Sequence, residues 1–220
     1  MKTIDHLINK NVYYLGSNYE YFKHISRFFA IQRCKSIFIS NKKEAISSID
    51  RELGNMRAIS YSYHVIFEDH QNYMKTITRI LKNREEPDIL LISFKADFEH
   101  DAEDGKNPML EAGDEQINVL LNHYIANTVK TINRFADIYR KKGKGTIASI
   151  VTDSSSNPLE NIFSGFINTY ILSLNEQIIK EGHSGIQCKV FYKKSENISY
   201  ERFVTKFAYL IASKKTVIRL

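Results

Sequence analysis

The stretch Asn11-Val-Tyr-Tyr-Leu-Gly-Ser-Asn-Tyr-Glu-Tyr-Phe22 carries the pattern that decides the fold. Its first five residues are mostly β-branched, aromatic or aliphatic, which predicts a strand. After Gly16, the segment Tyr21–Gln32 has apolar residues at the spacing of an amphipathic helix. A strand that passes through a glycine turn into a helix is the unit with which many α/β folds receive phosphate groups.

The residues after Gly16 predict that this turn has lost its phosphate site. A glycine-rich turn lets the backbone approach a pyrophosphate and leaves N–H groups at the helix N-terminus to bind it. Here Gly16 is the only glycine of the turn. Glu20 places a carboxylate in the first helical turn, where it interacts favourably with the helix dipole. We therefore predict that Glu20 and Phe22 close the position of a dinucleotide, and that no cofactor binds.

Strand-like and helix-like segments alternate along the whole chain. Strands separated by helices imply parallel pairing with right-handed crossovers. The runs Leu90–Ile92 and Ile147–Val151 are apolar on both faces, as central parallel strands are. We predict an α/β fold with a single Rossmann-like doubly wound parallel sheet of about seven strands, in a three-layer α/β/α sandwich. The predicted strands are Asn11–Leu15, Ser36–Ser40, Tyr63–Phe67, Asp88–Phe94, Thr146–Thr152, Ile186–Phe191 and Thr216–Leu220. The predicted helices are Tyr21–Gln32, Lys42–Leu53, Gln71–Asn83, Glu115–Lys142, Leu159–Glu181 and Tyr200–Ser213.

Length and composition are those of one globular domain. The 220 residues are 43% hydrophobic and 25% charged, so we predict a single domain over residues 1–220. No apolar run is long enough to span a bilayer, and the N-terminus lacks the apolar core of a secretory signal. We therefore expect a cytoplasmic protein without a membrane span. The net charge of +6 lies largely at helix and strand ends without interleaved aromatic residues, so we expect no nucleic-acid partner.

Neither a disulfide nor a metal site is predicted. Cys34 and Cys188 have no Cys-x-x-Cys spacing, so we expect two buried thiols in a reducing compartment. The segment 95–113 holds several carboxylates and His100, but the order of residues after Asp101 is not that of a calcium loop. We interpret this segment as a solvated acidic loop that could form a lid or a partner contact.

In element order and spacing, nearly the whole chain resembles the short-chain dehydrogenase/reductase family. The long predicted helix 115–142 and the following strand are similar to those that carry the family's active-site asparagine and serine. Asn122 falls on the asparagine position, and the strand ends at Thr152. Asp69 matches the acidic residue that contacts adenine in the family, and Lys42 stands where many members bind a 2′-phosphate. The resemblance implies the Rossmann fold, a nicotinamide cofactor and pairing of two long helices across a two-fold axis.

The positions that perform the family's chemistry have changed. The Asn-Asn-Ala-Gly element becomes Ile92-Ser-Phe-Lys95, and the Pro-Gly after the sixth strand becomes Lys193-Lys194. The Tyr-x-x-x-Lys motif aligns with Phe163 in place of the tyrosine and Ile167 in place of the lysine. Reduction needs a phenol that donates a proton and an ammonium that lowers its pKa, and neither residue supplies these. No catalytic role is therefore expected at Asn122, Thr152, Phe163 or Ile167, and no cofactor contact at the remnant positions Gly16, Glu20, Phe22, Lys42 and Asp69.

We therefore predict an inactive pseudoenzyme that acts as a scaffolding or regulatory subunit and associates with itself or with another enzyme. The proposed interface is a stripe on the helix 159–181, which either pairs across a two-fold axis or faces the chain's own sheet. Two alternatives stay open. One is an NAD(P)H-dependent, ketoreductase-like oxidoreductase with an atypical site in which Asn122, Thr152, Ser154 or Tyr170 assists. The other is a small-molecule sensor. The stripe consists of Ile162, Phe166, Thr169, Tyr170 and Ser173.

Overall fold

The computed structural model describes residues 4–95, 114–152, 158–193 and 199–220. Within these ranges, seven parallel strands form one sheet in the order β3-β2-β1-β4-β5-β6-β7. This confirms the predicted α/β fold with a Rossmann-like doubly wound sheet. The strands are β1 (Asn11–Leu15), β2 (Lys35–Ser40), β3 (Ser60–His64), β4 (Ile89–Ile92), β5 (Gly145–Thr152), β6 (Ile186–Lys193) and β7 (Val217–Arg219). The helices are α1 (Tyr19–Ile31), α2 (Lys43–Asn55), α3 (His70–Asn83), α4 (Asp114–Val119), α5 (Ala126–Lys142), α6 (Pro158–Lys180) and α7 (Tyr200–Leu210).

Helices cover both faces of the sheet, so its central strands are buried on both sides. Helices α1, α2 and α7 pack on one face, and α3, α5 and α6 pack on the other. Successive side chains of a strand point to opposite faces of the sheet. Because both faces are covered at β1, its sequence is apolar at almost every position. Tyr13 packs against Phe135 of α5, with ring centroids 5.2 Å apart. Its neighbour Tyr14 packs on the other face against Phe38, at 4.6 Å.

The third strand lies three residues earlier than predicted. It spans Ser60–His64 instead of Tyr63–Phe67, and it is a half-exposed edge strand of polar residues. Val65 still donates its N–H to the Ser40 carbonyl at 2.9 Å, after which the chain turns away from the sheet. Phe67 is fully buried beside Tyr73 and Phe94. Val65 and Phe67 are therefore core residues of a loop, whereas Ile66 is exposed. The prediction was wrong because apolar residues buried outside the sheet resemble a strand in the sequence.

The long helix predicted after the fourth strand contains a wider turn. Residues Leu120–Ile125 between α4 and α5 form a π-helical turn, a feature that is frequent at functional sites. Asn127, one turn further on, is completely buried. Its Nδ2 donates to the Phe67 carbonyl at 2.7 Å, and its Oδ1 accepts a short hydrogen bond from Nδ1 of His70. These bonds fix the helix to the loop that follows β3.

The strand order reverses between β1 and β4, and this reversal locates the candidate site. From β1 the chain proceeds outward to β2 and β3, whereas β4 to β7 lie on the other side. The crevice at such a reversal, at the carboxyl ends of the strands, is where open α/β sheets bind ligands.

Three further sequence predictions concern cysteines, metals and membranes. Cys34 and Cys188 are free and buried, as predicted. Among the described residues, no three His, Cys, Asp or Glu side chains are grouped so that they could hold a metal ion, and the absence of a metal stays a prediction. None of the described helices is long and apolar enough to cross a membrane.

Candidate functional site

Gly16 forms the tightest turn of the candidate site. Its φ of +134° is a conformation that residues with a side chain rarely adopt. A Cβ atom at this position would lie 2.0 Å from the Ser93 carbonyl oxygen. The turn also places Ser17 beside the end of β4, where its hydroxyl donates to the Lys95 carbonyl at 2.7 Å. Gly16 therefore keeps the role of a close-approach glycine between β1 and β4.

The N-terminus of α1 uses several of its own N–H groups. The N–H of Asn18 donates to the Ser93 carbonyl at 3.2 Å, and that of Tyr19 donates to the Ser17 carbonyl at 2.9 Å. The Asn18 side chain accepts from the N–H of Tyr21 at 3.4 Å, which makes Asn18 the N-cap. A phosphate at this turn would therefore meet fewer unengaged donors than a glycine-rich turn presents.

Glu20 and Phe22 do not both close the crevice in the predicted way. The Glu20 side chain is 51% exposed and lies 4.0 Å from His24 of the next turn. Phe22 is buried beneath α1 and packs on Tyr14, with ring centroids 5.4 Å apart. It therefore occupies the place of a glycine that permits close packing between helix and strand. Phe22 does not fill the dinucleotide position, because its ring lies in the core, and the prediction for the exposed carboxylate of Glu20 stays a prediction.

Two remnant positions cap helices. Asp69 is the N-cap of α3, and its Oδ1 accepts from the N–H of Asn72 at 3.1 Å. This hydrogen bond holds the pKa of Asp69 below its usual value. Lys42 precedes α2 at its N-cap position, and its N–H donates to the Ser40 hydroxyl at 3.1 Å. The capping bonds account for Asp69 without a ligand, whereas Lys42 lies two residues after the end of β2, and its contact with a cofactor phosphate stays a prediction.

Apolar side chains fill the positions of the expected tyrosine and lysine. Phe163 and Ile167 are 5% and 2% exposed. The Phe163 ring packs edge-on against Phe94, with centroids 4.6 Å apart. Phe94 in turn contacts Phe67 and Tyr124, so an aromatic cluster covers the carboxyl end of β4. Neither motif position can therefore supply a proton relay.

A side-chain pair that the sequence analysis missed lies at the other end of the crevice. Nδ2 of Asn41, just after β2, donates to the hydroxyl of Tyr124 at 3.2 Å. The Tyr124 ring stacks on Phe67, with centroids 4.9 Å apart. The π-helical turn thus places a phenol beside the ends of β2 and β3. The signal in the sequence was Tyr124 itself, two residues beyond the asparagine position that drew attention.

Two of the other proposed helper residues, Asn122 and Tyr170, lie in the described part of the chain. Asn122 is exposed on the π-helical turn. Tyr170 lies two turns along α6, where its hydroxyl donates to Oδ1 of Asn133 on α5. Burial raises the pKa of Tyr170, which makes it a poor phenolate. The side chain of Thr152 and the whole of Ser154 lie outside the described residues.

The proposed interface stripe does not face the chain's own sheet. Ile162 and Phe166 are 40% and 48% exposed, and Thr169 and Ser173 are also exposed, while Tyr170 is half-buried against α5. The opposite side of α6 contacts the sheet through Phe163, Ile167, Ile171, Leu174 and Ile178. The structure therefore excludes that this stripe faces the chain's own sheet, and its pairing with a partner stays a prediction.

The comparisons with known proteins agree on the fold. The sequence matches no protein-family model, and no curated protein sequence is similar to it. L-sorbose reductase from Gluconobacter frateurii, complexed with NADPH and L-sorbose, has a TM-score of 0.74 at 12% identity, over 97% of this chain and 95% of the reductase. A metagenomic short-chain oxidoreductase in complex with NADP has a TM-score of 0.73 at 14% identity, over 97% of this chain and 98% of the other. A bulky-bulky ketone specific alcohol dehydrogenase from Comamonas testosteroni has a TM-score of 0.75 at 13% identity, over 96% and 86% of the two chains.

These likenesses confirm that the chain has the fold of the short-chain dehydrogenases/reductases. They also correct the prediction that no cofactor binds. Two of the three neighbours are complexes with NADPH or NADP, so this fold does not support the expectation of no cofactor. The prediction treated Phe22 as a side chain inside the crevice, whereas its ring is buried beneath α1. The strand reversal that creates the crevice does not depend on either of them.

Proposed function

We propose that this protein is an NAD(P)H-dependent oxidoreductase with an atypical active site at the crevice between β1 and β4. The observation that carries the proposal is the Gly16 turn. The backbone of Gly16 lies so close to Ser93 that only glycine fits, at the point where the strand order reverses. Dinucleotide-binding α/β sheets have this geometry. The NADPH and NADP complexes of two structural neighbours support the same assignment.

The residues present fit the adenosine half of a dinucleotide better than its nicotinamide half. Lys42 and the Asn41 amide follow β2, where a ribose or its 2′-phosphate would lie. The stacked rings of Tyr124 and Phe67 stand beside them. The reacting end is different, because Phe163 has no proton to donate. When bound, the cofactor supplies the hydride, and the proton must come from water or from a group other than the family's tyrosine.

Titration with NADPH and NADH tests the proposal. Because three N–H groups at the N-terminus of α1 are already engaged, we expect weak binding, with a Kd of about 100 μM. The Lys42 ammonium should favour the 2′-phosphate, so we expect NADPH to bind more tightly than NADH. Replacing Lys42 with glutamine should weaken NADPH binding by about ten-fold and leave NADH binding unchanged. Isothermal titration calorimetry measures all four affinities.

Lys206→Gln is the matched control, because Lys206 is an exposed lysine of α7 on another part of the molecule. This variant should bind both cofactors as the wild type does. Absence of heat from either cofactor at millimolar concentration would contradict the proposal. So would equal effects of Lys42→Gln and Lys206→Gln on NADPH affinity. Oxidation of NADPH in the presence of a panel of carbonyl compounds, followed at the absorbance of reduced nicotinamide, then tests the redox step.

A second candidate function is the non-catalytic scaffold. The specific observation in its favour is the combination of a filled motif with an exposed stripe on the same helix. Phe163 and Ile167 of α6 face the hydrophobic core of the protein, whereas Ile162 and Phe166 of the same helix expose large apolar side chains to solvent. Exposed apolar groups that lie together are typical of interaction surfaces. We infer that this stripe pairs two copies of the chain, or this chain with another enzyme.

Replacing Phe166 with aspartate tests the pairing. If the stripe is an interface, a carboxylate at its centre lacks a partner and desolvation opposes association. The wild type should then sediment as a dimer at micromolar concentration, and Phe166→Asp as a monomer. Tyr209→Asp serves as the control, since Tyr209 is 56% exposed on α7, which covers the other face of the sheet. A monomeric wild type, or equal behaviour of the two variants, would count against the scaffold.

A further inference from the structure

Helices α3 and α5 border a groove lined by positive charges, which we call the basic groove. Its volume is about 700 Å³. Four cationic side chains line it, and no carboxylate does so among the described residues. Three of them come from α3 and one from α5, at positions distant in the sequence. The four are Lys75, Arg79, Lys82 and Arg134.

The three cations of α3 form one row. Lys75, Arg79 and Lys82 are spaced by four and three residues, so they project from the same side of the helix. With a rise of 1.5 Å per residue, the row is about 10 Å long. This length corresponds to two turns of a helix laid alongside α3. A segment with acidic residues at the same spacing could place one carboxylate opposite each cation.

Arg134 forms the opposite wall and is held in place before any partner arrives. Its guanidinium donates to the Thr78 hydroxyl at 2.8 Å, which bridges α5 to α3. A guanidinium has five N–H donors in a fixed fork, so the bond to Thr78 leaves donors for a second acceptor. Because the side chain is already ordered, binding costs less conformational entropy.

The basic groove ends at a histidine whose orientation is fixed. His70 donates from Nδ1 to the buried amide of Asn127, and its Nε2 accepts from the ammonium of Lys130 at 3.1 Å. This assignment of the proton follows from the partners, since Oδ1 of Asn127 only accepts and Lys130 only donates. Lys130 therefore adds a fifth cation at this end of the groove.

The nearest carboxylates are engaged elsewhere. Asp69 caps α3 through Asn72, although its charge also interacts with Lys75. Asp137 of α5 pairs with Arg140 at 3.2 Å. The positive field of the groove is thus only slightly compensated by the described part of the chain. Along the sequence the positive charge is spread over helix ends, whereas the fold concentrates five cations on one face.

We propose that the basic groove binds a carboxylate-rich helix of a partner protein. Recognition of acidic motifs by clustered cations is a general mode of peptide binding, and complementary charge also steers the encounter. A single-stranded nucleic acid fits less well, because no Phe, Tyr or Trp is among the described residues that line the groove, and the His70 ring is held by Asn127 and Lys130. The proposal concerns exposed side chains of α3 and α5 and does not depend on the proposed function.

A labelled peptide provides the test. We would use a 14-residue helical peptide with glutamates at the spacing of the α3 row, and the same peptide with glutamines as a probe without charge. Fluorescence anisotropy should show binding of the glutamate peptide at low salt, loss of binding as salt is raised, and no binding of the glutamine peptide. Lys75→Glu combined with Arg79→Glu should weaken binding by about ten-fold or more, because like charges then face each other.

Arg51→Glu combined with Lys206→Glu is the control, since it changes the net charge equally at exposed positions of α2 and α7. Circular dichroism and urea unfolding establish that both double variants remain folded. Retention of affinity in the control together with its loss in the groove variant supports the proposal. Equal loss in both variants, no binding by the wild type, or tighter groove-dependent binding of a duplex DNA of similar length overturns it.

Discussion

Replacing Gly16 with alanine is expected to lower the free energy of unfolding by about 3 kcal/mol or more. Two costs add at this position. The backbone φ of +134° disfavours any residue with a Cβ, and the new methyl group would lie 2.0 Å from the Ser93 carbonyl oxygen and 2.8 Å from its carbon. Neither atom can move freely, because both belong to the backbone of Ser93, which directly follows β4. Urea unfolding followed by circular dichroism measures the loss.

Gly54→Ala is the control for this experiment. Gly54 lies in the last turns of α2, and a Cβ built there meets no atom within 4 Å. Alanine is the better helix former, so this variant should be as stable as the wild type or more stable by up to about 1 kcal/mol. If Gly16→Ala were as stable as Gly54→Ala, the backbone of Gly16 could not lie as close to Ser93 as described here. The crevice proposed for the dinucleotide would then lose its main support.

Restoring the missing lysine at position 167 is expected to destabilise the protein. Ile167 is 2% exposed within the core between α6 and the sheet. A lysine there would bury an ammonium without a partner, which costs about 3 kcal/mol or more. Ile167→Met keeps an apolar side chain of similar volume and should cost less than about 1.5 kcal/mol. Urea unfolding of the two variants gives the comparison.

The pH dependence of Ile167→Lys adds a second readout. Burial lowers the pKa of a lysine below its unfolded value of about 10.4. Between the two pKa values the unfolded chain binds more protons, so the stability of the variant should rise as the pH increases through this range. The methionine variant should show no such difference from the wild type. A lysine variant as stable as the wild type at neutral pH would mean that water reaches position 167 and that a cleft of catalytic type persists there.

These two experiments separate the structural from the chemical part of the site. Gly16→Ala tests the crevice that a dinucleotide would enter, and Ile167→Lys tests whether the former motif positions are solvent-accessible. In the structure described here, the crevice beside Gly16 is intact and the side chain at position 167 is excluded from water. Under that arrangement, any redox chemistry proceeds without the family's tyrosine and lysine, which is the sense in which the proposed active site is atypical.

Sequence patterns were sufficient to predict the fold, whereas the loss of the motif stays a prediction from residue identity. Alternating strands and helices depend on local periodicity, which can be recognised in a single sequence. The absence of a phenol at Phe163 and of an amine at Ile167 is a matter of residue identity alone. The burial of both side chains agrees with that interpretation.

Other parts of the site could not be predicted because they depend on contacts between distant segments. The position of Phe22 depends on which side of α1 meets β1, so the same residue could fill a cleft or a core. The hydrogen bond between Asn41 and Tyr124 joins residues 83 positions apart, and it needs the π-helical turn to bring the phenol to β2. The loop after β3 was predicted to be a strand because it is apolar. Its residues Val65 and Phe67 are buried by the packing of a loop and not by a position in the sheet.

The layered α/β architecture could be predicted from the amino-acid sequence alone, because periodicity is a local property, and the absence of the expected proton donor is a prediction from residue identity. Which side chains border the crevice, which stripe of α6 meets solvent, and whether cations of α3 and α5 share one groove became evident in the folded chain alone. Those outcomes follow from how helices pack against the two faces of the sheet, and packing brings together residues whose separation along the chain conceals their proximity.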